Sequence, residues 1–295
     1  MKYKKVVCIG EVLWDSFTDG MFLGGAPLNV AVNLAHLGID VSLISAVGND
    51  RLGKDAIKEM KSKKLTTTHI QISEQPTGLV DVKLNELGTP QYVIHKHRAW
   101  DNIALTDAAT LELKSADILV FGSLSFRGNV SEATIKSMLK AFKGLKILDV
   151  NFRKPHYNKP LIEELLGFAD FLKVNGDELQ EITQWFGLDE EYHSSIPKIC
   201  AMYGVKHAII TLGEQGAILY SKGQFYDHPR YKVEVKDTVG AGDAFLAGVI
   251  YSLMNQKSPK ELLAFANAMG AYVSANDGAT PIISLQKIIQ KFDLE

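Results

Sequence analysis

The chain has 295 residues, 32 Lys plus Arg against 34 Asp plus Glu, a formal net charge of −2 and 46% hydrophobic residues. Such a balance supplies enough apolar side chain for a core, which argues against disorder, and lacks the basic surplus that wrapping a nucleic acid requires. Two cysteines, Cys8 and Cys200, are too few for a disulfide framework or a four-cysteine metal site.

The N-terminal Met1-Lys2-Tyr3-Lys4-Lys5 is basic, but the apolar run behind it stops at Gly10, too short for a signal peptide. No segment approaches the ~18 apolar residues of a membrane span, so a cytoplasmic protein is expected. Residues 6–9, 41–47, 118–121, 146–150, 171–174 and 208–211 are Val-, Ile- and Leu-rich runs that read as buried strands. Between them, 27–37, 54–63, 131–142 and 177–186 show helical periodicity. Gly38, Gly144 and Gly187 follow three of these as expected left-handed C-caps. Residues 217–220 and 224–226 add strands, and 240–254, 259–275 and 285–292 read as helices. Alternating strands and helices predict an α/β fold: a three-layer, mostly parallel sheet with helices on both faces.

Residues 78–97 break the pattern. Val80, Val82 and Leu84 alternate with Asp81, Lys83 and Asn85. Leu87-Gly88-Thr89-Pro90 then offers a turn, and 92–97 is extended again. This predicts a hairpin, either an edge decoration or a lid over a cleft. His95 and His97 would lie on one side of its second strand, but no third metal ligand is evident, so a polar lid face is the expected reading. No repeat, low-complexity tract or linker is visible.

Two segments look fit to bind phosphate. Gly48-Asn49-Asp50-Arg51-Leu52-Gly53-Lys54-Asp55 nearly matches a P-loop, yet its last position lacks the hydroxyl that holds magnesium. A plain strand-to-helix turn is the expectation there. Asp237-Thr238-Val239-Gly240-Ala241-Gly242-Asp243 is the stronger candidate. A helix starts at once, so the amides of Gly240, Ala241 and Gly242 are free donors at its N-terminus, an anion site by geometry and dipole. Asp243 beside it makes sense as a base that takes a proton while the amides stabilise a transferring phosphoryl group. Spacing alone is equally compatible with Asp237 and Asp243 as caps around a Gly-rich turn.

The segment 237–243 resembles the C-terminal signature of the ribokinase-like (PfkB) carbohydrate kinases, and further motifs follow the family's order. Gly24-Gly25-Ala26-Pro27-Leu28-Asn29 resembles its N-terminal glycine motif, and Val47-Gly48-Asn49-Asp50-Arg51-Leu52-Gly53 its VGxDxxG turn. Asn175-Gly176-Asp177-Glu178 is similar to N-x-x-E, and Thr211-Leu212-Gly213-Glu214-Gln215-Gly216 to T-L-G-x-x-G. The resemblance implies one large α/β domain, about 1–14, 24–70 and 103–295, and a discontinuous β lid, about 15–23 and 71–102. It implies ATP-dependent phosphorylation of a sugar hydroxyl, with Asp243 as base and Gly240, Ala241 and Gly242 as anion hole.

By the same resemblance Asn175 and Glu178 serve the phosphates and Mg2+, Glu178 through water. Thr211, Gly213 and Gly216 lie near the triphosphate and Asn267 near the adenine. Read from the residues alone, Glu178 is a solvated helix position and Asn267 a helix-packing amide. On the sugar side the resemblance places Asp15, Gly24, Gly25 and Asn29, although Asp15 also suits a turn cap. Arg98 and Arg153 are placed to read the far end of the substrate.

The stretches Gly10-Glu11, Phe121-Gly122-Ser123-Leu124 and Asp149-Val150-Asn151-Phe152-Arg153 look most like the bacterial fructokinases. D-fructose is therefore the expected acceptor, with 2-keto-3-deoxygluconate and ribose as alternatives and a sugar-sensing binding protein as the non-enzymatic one. Asp237, Val239, Val273, Asn276 and Gly278 match a family K+ site, but Ile282 stands where ribokinases carry a Ser ligand. A sugar substrate, no nucleic acid or membrane partner, and a homodimer through the lid complete the expectation.

Overall fold

In the computed structural model, which describes residues 3–18, 20–84 and 90–294, the chain forms two sheets and ten helices among the described residues. The first half contains β1 (Lys5–Ile9), β2 (Leu13–Phe17), β3 (Gly20–Gly24), α1 (Ala26–His36), β4 (Asp40–Gly48), α2 (Arg51–Ser62), β5 (Ile70–Ser73), β6 (Gly78–Leu84), β7 (Pro90–Ile94), α3 (Asp107–Ser115) and β8 (Ile118–Gly122). Then come α4 (Asn129–Ala141), β9 (Leu145–Asp149), α5 (Lys159–Phe168), β10 (Phe171–Asn175), α6 (Gly176–Phe186), α7 (Tyr192–Tyr203) and β11 (His207–Thr211). The chain closes with β12 (Ala217–Ser221), β13 (Gln224–His228), α8 (Ala241–Met254), α9 (Pro259–Ser274) and α10 (Leu285–Phe292). No helix of the described residues is long and apolar enough to cross a membrane.

The large sheet has nine strands in the order β13-β12-β11-β10-β9-β8-β1-β4-β5, parallel from β11 to β5 and antiparallel at the β12–β13 edge. Its central strands are largely apolar because both faces are covered. In β1, Val6 and Cys8 pack toward one helical layer while Val7 and Ile9 pack toward the other, all fully buried. The expected three-layer architecture is thus present. The strand β5 and the helices α3, α5 and α7 extend it beyond the predicted elements, and β2 and β3 are unpredicted strands of the second sheet.

A separate four-stranded sheet runs β3-β2-β6-β7. Leu13, Val80 and Val82 form its own small apolar cluster with Phe17 and Ile94, whereas Val93 lies on the opposite face, 52% exposed. Ile70–Ser73, at the start of the expected lid segment, joins the large sheet through β4 instead. The hairpin pairing of β6 with β7 is observed; the turn expected at 87–90 falls mainly on 87–89, outside the described residues.

Two local expectations are corrected and a third is met. Gly144 is not a left-handed cap: α4 ends at Ala141, and a Cβ on Gly144 would lie 2.3 Å from the Asp117 carbonyl oxygen, so close packing explains the glycine. His95 and His97 do not share a strand face, because β7 ends at Ile94. His95 Nε2 lies 2.9 Å from Asp81 Oδ2, and His97 has φ 56°. The segment resembling a P-loop is a helix start. Asp50 caps α2 by accepting from the Gly53 amide at 2.7 Å, and it also accepts from the Thr77 amide at 2.8 Å and hydroxyl at 2.6 Å.

The small sheet is tied to the large one by a buried cation. Arg127, in the 3₁₀ turn Leu124–Arg127 after β8, donates to Asp101 Oδ1 at 2.8 Å and Oδ2 at 3.0 Å. It also donates to the His95 carbonyl at 2.5 Å and stacks 3.9 Å over Trp100. Breaking such a pair strands the other charge. Arg127→Leu should therefore cost about 3–5 kcal/mol in denaturant unfolding, and Arg127→Leu/Asp101→Leu should recover much of it. Equal losses in the single and double variants would refute the role of the pair.

Candidate active site

The turn before α8 is shaped by one backbone requirement. Gly240 has φ 75°, and a Cβ there would lie 2.6 Å from Ala279, so only glycine serves as the N-cap. Asp237 Oδ1 accepts from the Val239 amide at 2.9 Å and folds the preceding loop. Of the three amides expected to be free, that of Ala241 donates to the Thr238 carbonyl at 3.2 Å. Those of Gly240 and Gly242 make no hydrogen bond among the described residues. The turn thus presents two open donors and one long, easily exchanged one at a helix N-terminus.

Asp243 sits in the first turn of α8, and Asn29 Nδ2 donates to its Oδ2 at 2.8 Å. Asn29 is therefore placed first as a partner of this carboxylate. Beneath them, Lys173 Nζ reaches both oxygens of Asp149, at 2.8 and 3.0 Å. The ammonium also lies 3.4 Å from where a Cβ on Gly242 would be. Burial, reinforced by the Asp149 charge, pushes the Asp243 pKa up to about 7, against the pull of Lys173, the Asn29 hydrogen bond and Arg153. Burial opposes the charge on Lys173, but Asp149, Glu178 and Asp243 together hold its pKa above the ordinary lysine value.

Asp243 opens onto a cavity of about 670 Å³. Asp15, Gly25, Asn29, Arg153 and Lys154 line it, and Leu13, Phe17, Val80 and Ile94 of the small sheet stand over it. Gly24 leaves room for Asp15, whose Oδ2 would lie 2.7 Å from a Cβ there. Gly25, with φ 118°, lets the chain pass 2.4 Å (Cβ to oxygen) from the Glu11 carbonyl. Burial raises Asp15 to about 6, with Arg153 opposing. The Arg153 guanidinium makes a 3.0 Å bond to the Phe152 carbonyl. Arg98 lies elsewhere: it opens the 3₁₀ turn Ala99–Asn102, and its charge helps lower the Asp50 pKa.

A second cavity, also about 670 Å³, adjoins the first and shares Asn175, Thr211, Thr238 and Gly242 with it. Gly213, Gly216 and Asn267 complete the expected set on this side. The Asn267 amide donates to Leu263 of its own helix at 2.9 Å, leaving Oδ1 for the cavity. Asn175 and Glu178 form a capping box: the Asn175 side chain accepts from the Glu178 amide and the Glu178 side chain from the Asn175 amide, both at 2.8 Å. Glu178 Oε1 also accepts from the Phe152 amide at 3.0 Å. Burial pushes the Glu178 pKa up and Asp149 adds to it, while Lys173 and these amides act against the rise.

With both oxygens already engaged, Glu178 fits a metal only through water. Among the described residues no three His, Cys, Asp or Glu side chains cluster to hold one. A divalent cation that keeps its waters and binds mainly to ligand phosphates suits this donor set.

Lys173 and Arg230 escaped the sequence reading, and Glu11 and Asp149 entered it only inside motif stretches, with no role of their own. Glu11 is buried, accepting from Ser125 Oγ at 2.8 Å and the Ala26 amide at 3.3 Å, and burial raises its pKa. Arg230 lines the second cavity and lies 3.8 Å from Glu214. For Lys173 a signal existed: a lysine inside the apolar run 171–174 of a central strand contradicts its surroundings.

The arrangement joins a carboxylate, an anion-binding turn and two cavities, and it has relatives. The pfkB family carbohydrate kinase model matches residues 4–285. An uncharacterized sugar kinase of Pyrococcus horikoshii, solved in complex with ATP, superposes with TM-score 0.84 at 29% identity over 97% of each chain. In sequence it is 32% identical over 267 residues, 87% of this chain and 82% of the relative. Fructokinase-2 of Zea mays is 27% identical over 307 residues, 94% of this chain and 90% of the relative. A 2-dehydro-3-deoxygluconokinase of Thermotoga maritima, 20% identical, shares the fold with TM-score 0.86 over 99% of this chain and 98% of the other. The chain belongs to the PfkB family of carbohydrate kinases.

Proposed function

We propose that this chain transfers the γ-phosphate of ATP to a hydroxyl of D-fructose, with Asp243 as general base and the 240–242 turn as anion hole. One observation carries the reading. Two cavities meet at that turn, and Asp243 lines only the acceptor-side one. A base on the acceptor side and amide donors at the junction suit an in-line displacement. Asp243 takes the hydroxyl proton as the acceptor oxygen bonds to the γ-phosphorus. The bond to the β–γ bridging oxygen breaks, and its electron pair leaves with ADP.

Asn29 orients the base through its 2.8 Å hydrogen bond. Glu178 would hold Mg2+ through water, and the ion would neutralise phosphate charge. The small sheet of β2, β3, β6 and β7 acts as a lid whose apolar face excludes water from the acceptor and so disfavours hydrolysis. Asp15 and Asn29 offer an acceptor and an amide to vicinal hydroxyls, and the maize relative's name supports fructose.

A second reading has its own observation. Arg153 and Lys154 line the acceptor cavity, and the hydrogen bond that Arg153 makes is to its own neighbour's carbonyl. Two cations there suit the carboxylate of 2-keto-3-deoxygluconate.

A coupled ADP-release assay over fructose, ribose, 2-keto-3-deoxygluconate, mannose and adenosine should give its highest kcat/KM with fructose. A preference for 2-keto-3-deoxygluconate, lost in Arg153→Leu, would install the second reading. No ADP release with any sugar would leave only a binding protein.

Asp243→Asn keeps the shape and the Asn29 contact but removes the base. Its kcat should fall by about 10²–10⁴-fold, with melting temperature and calorimetric sugar binding retained; near-normal turnover would refute the assignment. The base works ionised, and its pKa is raised to about 7. In a pH profile, kcat/KM should therefore be level above that value and fall about tenfold per unit below it. An acid limb near the ordinary carboxylate value of about 4 would contradict the burial argument.

A further inference from the structure

Lys173 is the one charged residue inside the apolar run of β10, and it is buried. Its strand is central and parallel, flanked by β9 and β11, where Val, Ile and Leu are the stable choice. Asp149 is its direct register partner on β9. Replacing such a buried ion pair with apolar residues often costs nothing or stabilises, so packing does not explain its presence. Position supplies a better reason. Lys173 lines the acceptor-side cavity together with Gly242 and Asp243. Its ammonium lies 3.4 Å from where a Cβ on Gly242 would sit, directly under the anion-binding turn. An ammonium has three N–H donors. Two account for the Asp149 oxygens, at 2.8 and 3.0 Å, and among the described residues no other acceptor is hydrogen-bonded to Nζ.

We infer that Lys173, anchored by Asp149, is a further catalytic residue whose remaining N–H donates to the phosphoryl group during its transfer. The inference rests on the kinase reading above. Lys173 gives up no proton. It supplies a fixed positive charge where negative charge collects on the equatorial oxygens, in a dry site where such a charge counts most. It has a second effect on Asp243. The groups facing that carboxylate are Asp149 on β9, Lys173 on β10, Asn29 on α1 and Arg153 in the loop after β9. Asp149 disfavours its ionised form, while Lys173, the Asn29 hydrogen bond and Arg153 favour it, so loss of the ammonium should move the acid limb of the profile upward.

The test is the variant Lys173→Met/Asp149→Asn, which removes both charges and leaves neither stranded, beside Lys173→Arg. Wild-type turnover with sugar and ATP is measured first; its absence would sink the kinase reading rather than this one. With an active wild type, the double variant should lose about 10²–10³-fold in kcat, the cost of one lost transition-state donor. KM for sugar should change little, and melting should stay near wild type. Lys173→Arg, which keeps a charged donor, should retain more turnover than the double variant. A double variant within threefold of wild-type kcat would overturn the inference. The unaltered protein gives a read-out independent of how the variants fold. With ¹⁵N-labelled lysine, the Lys173 ammonium resonance should shift on adding ADP, tetrafluoroaluminate and sugar together, and an unshifted resonance would also overturn it.

Discussion

The site hangs on charge compensation where water is scarce. Asp149, Glu178 and Asp243 all act on the Lys173 ammonium, which is the largest source of positive charge within this group. Three carboxylates around one cation leave an excess of negative charge. That excess, together with burial, is why Asp243 titrates far above an ordinary aspartate and why Glu178 is raised as well. The same excess makes the pocket receptive to further cations, whether Arg153 from the loop after β9 or a hydrated metal carried by phosphates. Asp149 and Lys173 face each other in register on adjacent parallel strands, so the compensation is built into the sheet rather than borrowed from mobile loops. It lies at the carboxyl ends of these strands, where open α/β sheets place their ligands.

Two tethers extend this rigidity outward. Glu178 Oε1 holds the Phe152 amide at 3.0 Å, which fixes the loop carrying Arg153 to the start of α6. One carboxylate lining the first cavity thereby anchors the loop that carries Arg153, while its capping partner Asn175 lines both cavities. Arg127 performs the equivalent service for the small sheet, holding the carbonyl that follows β7 and the buried Asp101 at once. A small sheet attached by a desolvated, multidentate guanidinium is held by bonds stronger than apolar contacts alone, and Trp14 and Leu23 on β2 and β3 pack it into the main core as well.

Much of this was legible in the sequence because the signals were local. Continuous Val and Ile runs announced a sheet covered on both faces, and a Gly-rich turn ahead of an apolar helix announced the anion site. Asp15 and Asn29 were placed by resemblance to family motifs and Asp243 by its Gly-rich turn together with that resemblance, and the structure brings all three to one cavity. What stayed hidden was partnership. The sequence shows that Asn29 is polar and not that it hydrogen-bonds Asp243 from 214 residues away. It shows that Glu178 follows Asn175 by three, yet the tether to Phe152 depends on how the loop after β9 returns. Arg98 was misplaced for the opposite reason. An arginine near the end of the hairpin looks free to reach a substrate, while the 3₁₀ turn that it opens directs its charge toward Asp50. Ala241 likewise looked like a free donor until the turn closed on Thr238.

The division between chemistry and recognition follows from where each group is mounted. Asp149, Lys173 and Asp243 stand on two central strands and a long buried helix, elements whose packing tolerates little displacement. Asp15 stands on the small sheet, and Arg153 and Lys154 on a loop. That loop is braced by a stack of Phe152 on Tyr157, with ring centroids 4.0 Å apart, and by Trp185 beside both. A change of acceptor therefore asks for new side chains on the lid and loop, with the transferring machinery untouched. A change in the machinery would have to re-solve the charge balance around Lys173. The fold's resemblance to a fructokinase and to a deoxygluconokinase alike is what this separation leads one to expect. On the proposed reading, discrimination between a hydroxyl and a carboxylate at the acceptor's end falls to Arg153, a group the sheet does not hold in place.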